Sequence, residues 1–129
     1  SQEGARCFLR EVKRVLKAGG VIRIAVPDIR IAINDYLISN DADAFMKNIL
    51  VQAPEIKTIK QKIILFVSGY RHHQWMYDGE SLAKLLIEMG FSGAEICQDG
   101  KTNITDPGAL NLYEQVEHSV YVEAIFRYD

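Results

Sequence analysis

Residues 21–26, Val-Ile-Arg-Ile-Ala-Val, constrain the fold more than any other stretch. The run is mostly β-branched, follows Gly19-Gly20 and stops at Pro27. That pattern predicts a strand, and one so apolar is expected to lie inside an α/β sheet, covered on both faces. Arg23 breaks the run and predicts that one end or face of the strand reaches water.

The flanks agree with such a sheet. Residues 5–17 read as an amphipathic helix with Phe8, Val12, Val15 and Leu16 as its stripe and Leu9 beside them. Arg6, Arg10, Lys13, Arg14 and Lys17 cover the other side as a solvated face, and Gly19-Gly20 supplies a left-handed stop. After the strand, residues 29–38 read as a helix with Ile29, Ile33, Tyr36 and Leu37 on one face. A turn follows at residues 40–43, where Asp43 can cap a short helix running to Leu50. A third helix starts at Pro54 and carries the stripe Ile56, Ile59, Ile63 and Val67. Residues 70–77 form a polar, aromatic connection without a period. Asp78 then caps a helix with the stripe Leu82, Leu85, Leu86 and Met89, closed by Gly90 and Phe91. A second strand is expected from about residue 93 to 98. Residues 101–118 form a long polar connection. In the last strand Val120, Val122, Ala124 and Phe126 alternate with Ser119, Tyr121, Glu123 and Arg127, which predicts one buried face.

The order is therefore helix, strand, helices, helix, strand, strand. The first two strands can run parallel through a right-handed crossover. The last two are joined without a helix and pair antiparallel. The expected fold class is α/β, the closing half of an open, partly parallel Rossmann-like sheet with an antiparallel last strand at its edge. The length fits one domain over residues 1–129, with residues 29–75 as a helical cap or insertion. One edge of the first strand would lack a neighbour, an aggregation liability unless something covers it.

Composition removes several function classes. Fifteen Lys and Arg against seventeen Asp and Glu give a formal charge of −2, which does not favour a nucleic-acid partner. No apolar run reaches the roughly 20 residues that span a membrane, and no leader pattern opens the chain. Cys7 and Cys97 lack CxxC or Cys/His spacing, so neither a disulfide scaffold nor a metal site is expected. These features predict a reduced, cytoplasmic domain.

Three segments carry a resemblance. Residues 8–28, FLREVKRVLKAGGVIRIAVPD, resemble the helix and fifth strand of class I S-adenosylmethionine-dependent methyltransferases, with Ala18 where that family usually has proline. Residues 76–91, MYDGESLAKLLIEMGF, resemble the next helix and its Gly-Phe exit. Residues 117–124, EHSVYVEA, resemble the final strand of a bacterial subgroup of predicted methyltransferases. The resemblance implies a methyltransferase fold and S-adenosylmethionine as cofactor. It also exposes a departure. The family binds its cofactor on a Gly-rich turn after its first strand and an acidic residue ending the second. Gly19-Gly20 follows a helix and precedes a strand, the reverse order. The 129 residues thus resemble the C-terminal half of the family's domain, and cofactor binding by this half alone is not expected.

Candidate substrate-side residues follow from position. Asp28 comes after the first strand, where open α/β sheets bind ligands, and it can equally cap the next helix. His72 and His73, with Trp75 and Tyr77, can supply a general base and aromatic walls, or simply a packed loop. Tyr36 reads as core or cap surface, and His118 and Cys97 as structural. Methyl transfer from an activated sulfonium asks mainly for proximity and orientation, so no catalytic residue is named. Two functions remain open. One is a methyltransferase portion acting on a small-molecule acceptor. The other is a non-enzymatic interaction module, a homodimer covering the free strand edge. In the first case the missing N-terminal half would cover that edge.

Overall fold

A computed structural model describes residues 2–49, 75–113 and 118–127. Their elements are α1 (Gln2–Val15), β1 (Val21–Pro27), α2 (Ile29–Ser39), α3 (Ala42–Ile49), α4 (Gly79–Glu88), β2 (Phe91–Cys97) and β3 (Ser119–Phe126). The helix expected at residues 54–67 lies outside the described residues, as do His72, His73 and most of the expected cap.

The chain forms a mixed α/β fold, but the sheet is not a parallel Rossmann sheet. Its order is β1-β3-β2, and both neighbouring pairs are antiparallel. β1 and β2 point the same way without touching, because β3 lies reversed between them. The expected edge strand is thus the central one. The reason lies in its side chains: β3 is buried along nearly its whole length on both faces. Val120, Val122, Ala124 and Phe126 face the helices, and Tyr121 and Glu123 are closed over on the opposite face.

The helix-side core joins Leu9 of α1 and Leu82, Leu85 and Leu86 of α4 to Ile22, Phe91, Val120, Val122 and Phe126. The α1 stripe differs from expectation. Leu9 is buried with Ala5, Val12 and Leu16 packed behind it, whereas Phe8 and Val15 are 57% and 66% exposed. A helix presents an apolar stripe along i, i+3, i+4 and i+7, and the set through Leu9 is the one that meets the sheet. The basic side of α1 is not simply solvated either. Lys13 donates to the Met89 carbonyl at 3.0 Å, serving the free carbonyl end of α4.

Local signals explain the remaining elements. Asp78 caps α4 in a reciprocal box with Ser81. Gly90 follows α4 with φ +84°, a conformation that costs glycine little. β2 begins at Phe91, earlier than expected, and its register slips between Ser92 and Glu95 around Gly93. Asp41, not Asp43, caps α3, accepting the Ala44 N–H at 2.9 Å. On α2 the buried residue is Ala32, and Ile33, Tyr36 and Leu37 stay exposed. Among the described residues no helix is long and apolar enough to cross a membrane.

The second face of the sheet is closed by the loop at residues 98–113. Its anchor is a buried ion pair, Arg23 Nη1 to Glu123 Oε1 at 2.7 Å. Arg23 also donates to the Lys101 carbonyl at 2.8 Å, and its guanidinium lies 4.7 Å from the centre of the Tyr121 ring. Glu123 accepts from the Thr102 hydroxyl at 2.5 Å and the Asn103 N–H at 2.7 Å. Burial alone would push the Glu123 carboxyl up, but these hydrogen bonds and Arg23 together hold it below its ordinary value. Arg23 therefore does not reach water as its place in the strand suggested.

Candidate functional site

The carboxyl end of β1 is where three predicted residues meet. Asp28 leaves the strand with its N–H bonded to the His118 carbonyl at 2.9 Å, so His118 contributes its backbone there. The Asp28 carboxylate accepts the Arg30 N–H at 2.8 Å and caps α2. Alongside, Tyr77 forms a parallel bridge with Asp28, and its carbonyl accepts the Ile29 N–H at 3.1 Å. This pairing brings residues 75–78 to the end of β1.

Two helix N-termini then lie side by side, those of α2 and α4. Arg30 ties them, donating to Asp78 at 3.1 Å with Glu80 3.6 Å away. Hydrogen bonds from the Ser81 N–H and hydroxyl, then from Arg30, lower the Asp78 carboxyl to about 2. It is an ionised cap at neutral pH, a poor proton acceptor. The same carboxylates raise Arg30 above its ordinary value, the Asp78 hydrogen bond first.

Tyr77 turns its ring into the helix-side core. Its hydroxyl is buried and has no hydrogen-bond partner among the described residues. Burial pushes the phenol up, with Arg6 pulling slightly the other way, so it is a proton donor at neutral pH. Beside it is a cleft of about 220 Å³, whose lining includes Arg6, Trp75, Tyr77, Ser81, Lys84 and Glu88. Arg6 is paired with Glu88 at 2.8 Å. A larger groove of about 690 Å³ runs between α4 and β2, lined by Ala83, Ile87, Ala94 and Ile96 with a mainly acidic rim. It is open and lacks polar groups converging on one point, so the smaller cleft is the better candidate site.

Of the predicted residues, Trp75 and Tyr77 line the cleft, and Asp28 meets the Tyr77 backbone without lining it. Tyr36 does not line the cleft; its ring packs on Phe45 of α3 at 5.4 Å. His72 and His73 lie outside the described residues. Cys97 is half-buried, and burial followed by the Glu123 charge raises its thiol, which disfavours the thiolate. Arg6, Lys84 and Glu88 were not visible as cleft residues, because each reads as an ordinary charge on a helix surface. Among the described residues no group of three or more His, Cys, Asp or Glu could hold a metal ion.

Compared with family models, curated proteins and solved structures, the chain matches none.

Proposed function

We propose that this chain is the closing portion of an S-adenosylmethionine-dependent methyltransferase, with a small-molecule acceptor held beside Trp75 and Tyr77. One observation carries the reading. β1 and β2 are co-directional, β3 is reversed between them, and the outer edge of β1 has no partner strand among the described residues. Such an edge can accept a further parallel strand, continuing the sheet into a cofactor-binding half. The carboxyl end of β1, where ligands bind in open α/β sheets, carries Asp28 and the Tyr77 cleft.

The described residues do not themselves suit the cofactor. β1 passes through Pro27 and Asp28 straight into α2, with no Gly-rich turn, and the Asp28 carboxylate is engaged in capping. Cofactor binding is therefore assigned to chain outside these 129 residues, and no catalytic step is derived from this portion. Calorimetric titration of S-adenosylmethionine into the protein as its gene encodes it tests the reading. One bound cofactor per chain is expected, and none for residues 1–129 alone. Absence of binding by the encoded protein overturns the proposal.

The same free edge, together with the outward Phe8 and Val15, favours a second reading. In it the chain is a non-enzymatic module that dimerises through β1. Light scattering separates the two: a monomer over the micromolar range removes the dimer.

A further inference from the structure

We infer that the cleft between α1, α4 and residues 75–77 binds a small planar aromatic carboxylate, its ring on the Trp75 indole and its charge shared by Lys84 and the Tyr77 hydroxyl. Three observations converge there. Trp75 is a large apolar side chain that lines the cleft and is left 50% exposed, a surface suited to stacking a flat ring. Arg6 is neutralised by Glu88, whereas Lys84 has no ion pair among the described residues. The cleft thus offers one positive charge to a ligand. The buried Tyr77 hydroxyl has no acceptor among the described residues, a defect that an arriving carboxylate oxygen would correct.

Size narrows the class. About 220 Å³ is below the roughly 300–1,000 Å³ of pockets for drug-sized ligands, so a single ring fits better than a fused or extended one. Charge narrows it further: one lysine and one phenol suit a monoanionic carboxylate better than a phosphate dianion. Because the hydroxyl is buried, an entering acceptor meets it only after the cleft lining shifts. Calling the ligand a methyl acceptor rests on the proposed function; the binding itself does not.

Trp75 is the single tryptophan of the chain, so its fluorescence reports this cleft alone. Benzoate is the probe, with benzamide as the uncharged and cyclohexanecarboxylate as the non-planar control. Benzoate should change the emission saturably in the millimolar range, and each control should bind about tenfold more weakly. Lys84→Met, at an exposed position, should weaken benzoate about tenfold and leave benzamide unchanged. Tyr77→Phe should weaken benzoate severalfold without lowering the melting temperature of the free protein, since it deletes a hydroxyl that has no partner among the described residues. A non-saturating response, equal binding of benzoate and benzamide, or unaltered benzoate affinity in Lys84→Met or Tyr77→Phe overturns the inference. No methyl donor is present in this assay, so its outcome is separate from that of the cofactor titration.

Discussion

Glu123→Gln is the most informative single perturbation, because the change is nearly isosteric and the site is closed. At the 2.7 Å separation of the ion pair, an effective dielectric near 20 gives an attraction of about 6 kcal/mol. Removing the two ions from water costs several kcal/mol each, so the intact pair contributes little net stability. The broken pair is another matter. The side chains of Arg23 and Glu123 are only 9% and 2% exposed. Glutamine keeps one oxygen for Arg23 and Thr102 but turns an amide NH2 toward the Asn103 N–H, donor against donor. Arg23 keeps the Lys101 and Leu112 carbonyls but loses its counter-charge. The expected cost is about 3 kcal/mol, the lower end for an uncompensated buried charge. For a chain of this size that is a fall of roughly 10 °C in melting temperature. Urea unfolding of Glu123→Gln, Arg23→Met and the double variant at pH 7 measures it. Each single change should cost about 3 kcal/mol and the double about 4 kcal/mol, a coupling near 2 kcal/mol that added salt leaves intact. Singles that cost under about 1 kcal/mol and add together would refute the buried pair. Acid supplies a further check. The folded carboxyl lies below its ordinary 4.5, so its contribution is present above that pH and disappears as pH falls toward the folded value. The parent should lose more stability through that window than Glu123→Gln.

Three other outcomes are expected. Leu9→Ala should cost about 3 kcal/mol in urea unfolding, whereas Phe8→Ala and Val15→Ala stay within about 0.5 kcal/mol; the reverse ranking would mean that α1 is rotated. Asp78→Ala should destabilise by about 1 kcal/mol at pH 7 through loss of the α4 cap. Since the folded carboxyl is lowered to about 2, the Asp78→Ala penalty should shrink as pH drops below the ordinary aspartate value, and a pH-independent penalty would contradict the capping assignment. Gly100→Ala should cost about 1–2 kcal/mol, because Gly100 sits at φ +71° and a Cβ would strike the Tyr113 ring. Adding Tyr113→Ala should recover only the steric part, which thermal melts of the two variants resolve.

Much of the local architecture was readable along the chain. Asp78, Gly90 and the Leu82, Leu85 and Leu86 stripe carry their meaning within a few positions, and α4 follows them. The β-branched run of β1 marks a strand, but not the inner, doubly covered one expected: among the described strands β1 lies at an edge, and only Ile22 in it is buried. What escaped was set by partners far away. Glu123 alternates with core residues exactly as a solvent-facing residue does, and only Arg23, Thr102 and Asn103 make its face an interior. With that face counted as wet, β3 belongs at the edge; once it is closed, β3 belongs in the middle. The α1 stripe lies one residue of rotation from the expected one, since Phe8 and Leu9 are both large and apolar and only the sheet decides between them. At the site, Asp28, Trp75 and Tyr77 could be named from position and residue type. The Asp28–Tyr77 bridge could not, because it joins positions 49 residues apart in the chain. Arg6 and Lys84 gave no signal at all.

The central place of the last strand has a consequence for how the protein comes into being. Arg23 and Glu123 are 100 residues apart in the chain, yet they sit opposite each other in the register. Among the described residues β1 and β2 share no hydrogen bonds of their own, so the strand that joins them is absent until residues 119–126 have emerged from the ribosome. Helices α1 and α4 can form while synthesis continues, but the loop closure that joins both outer strands comes last. Such long-range pairing makes folding slow and leaves two apolar edges open to other nascent chains meanwhile. A chain stopped before Ser119 would lack the only strand that, among the described residues, holds β1 and β2 in one sheet.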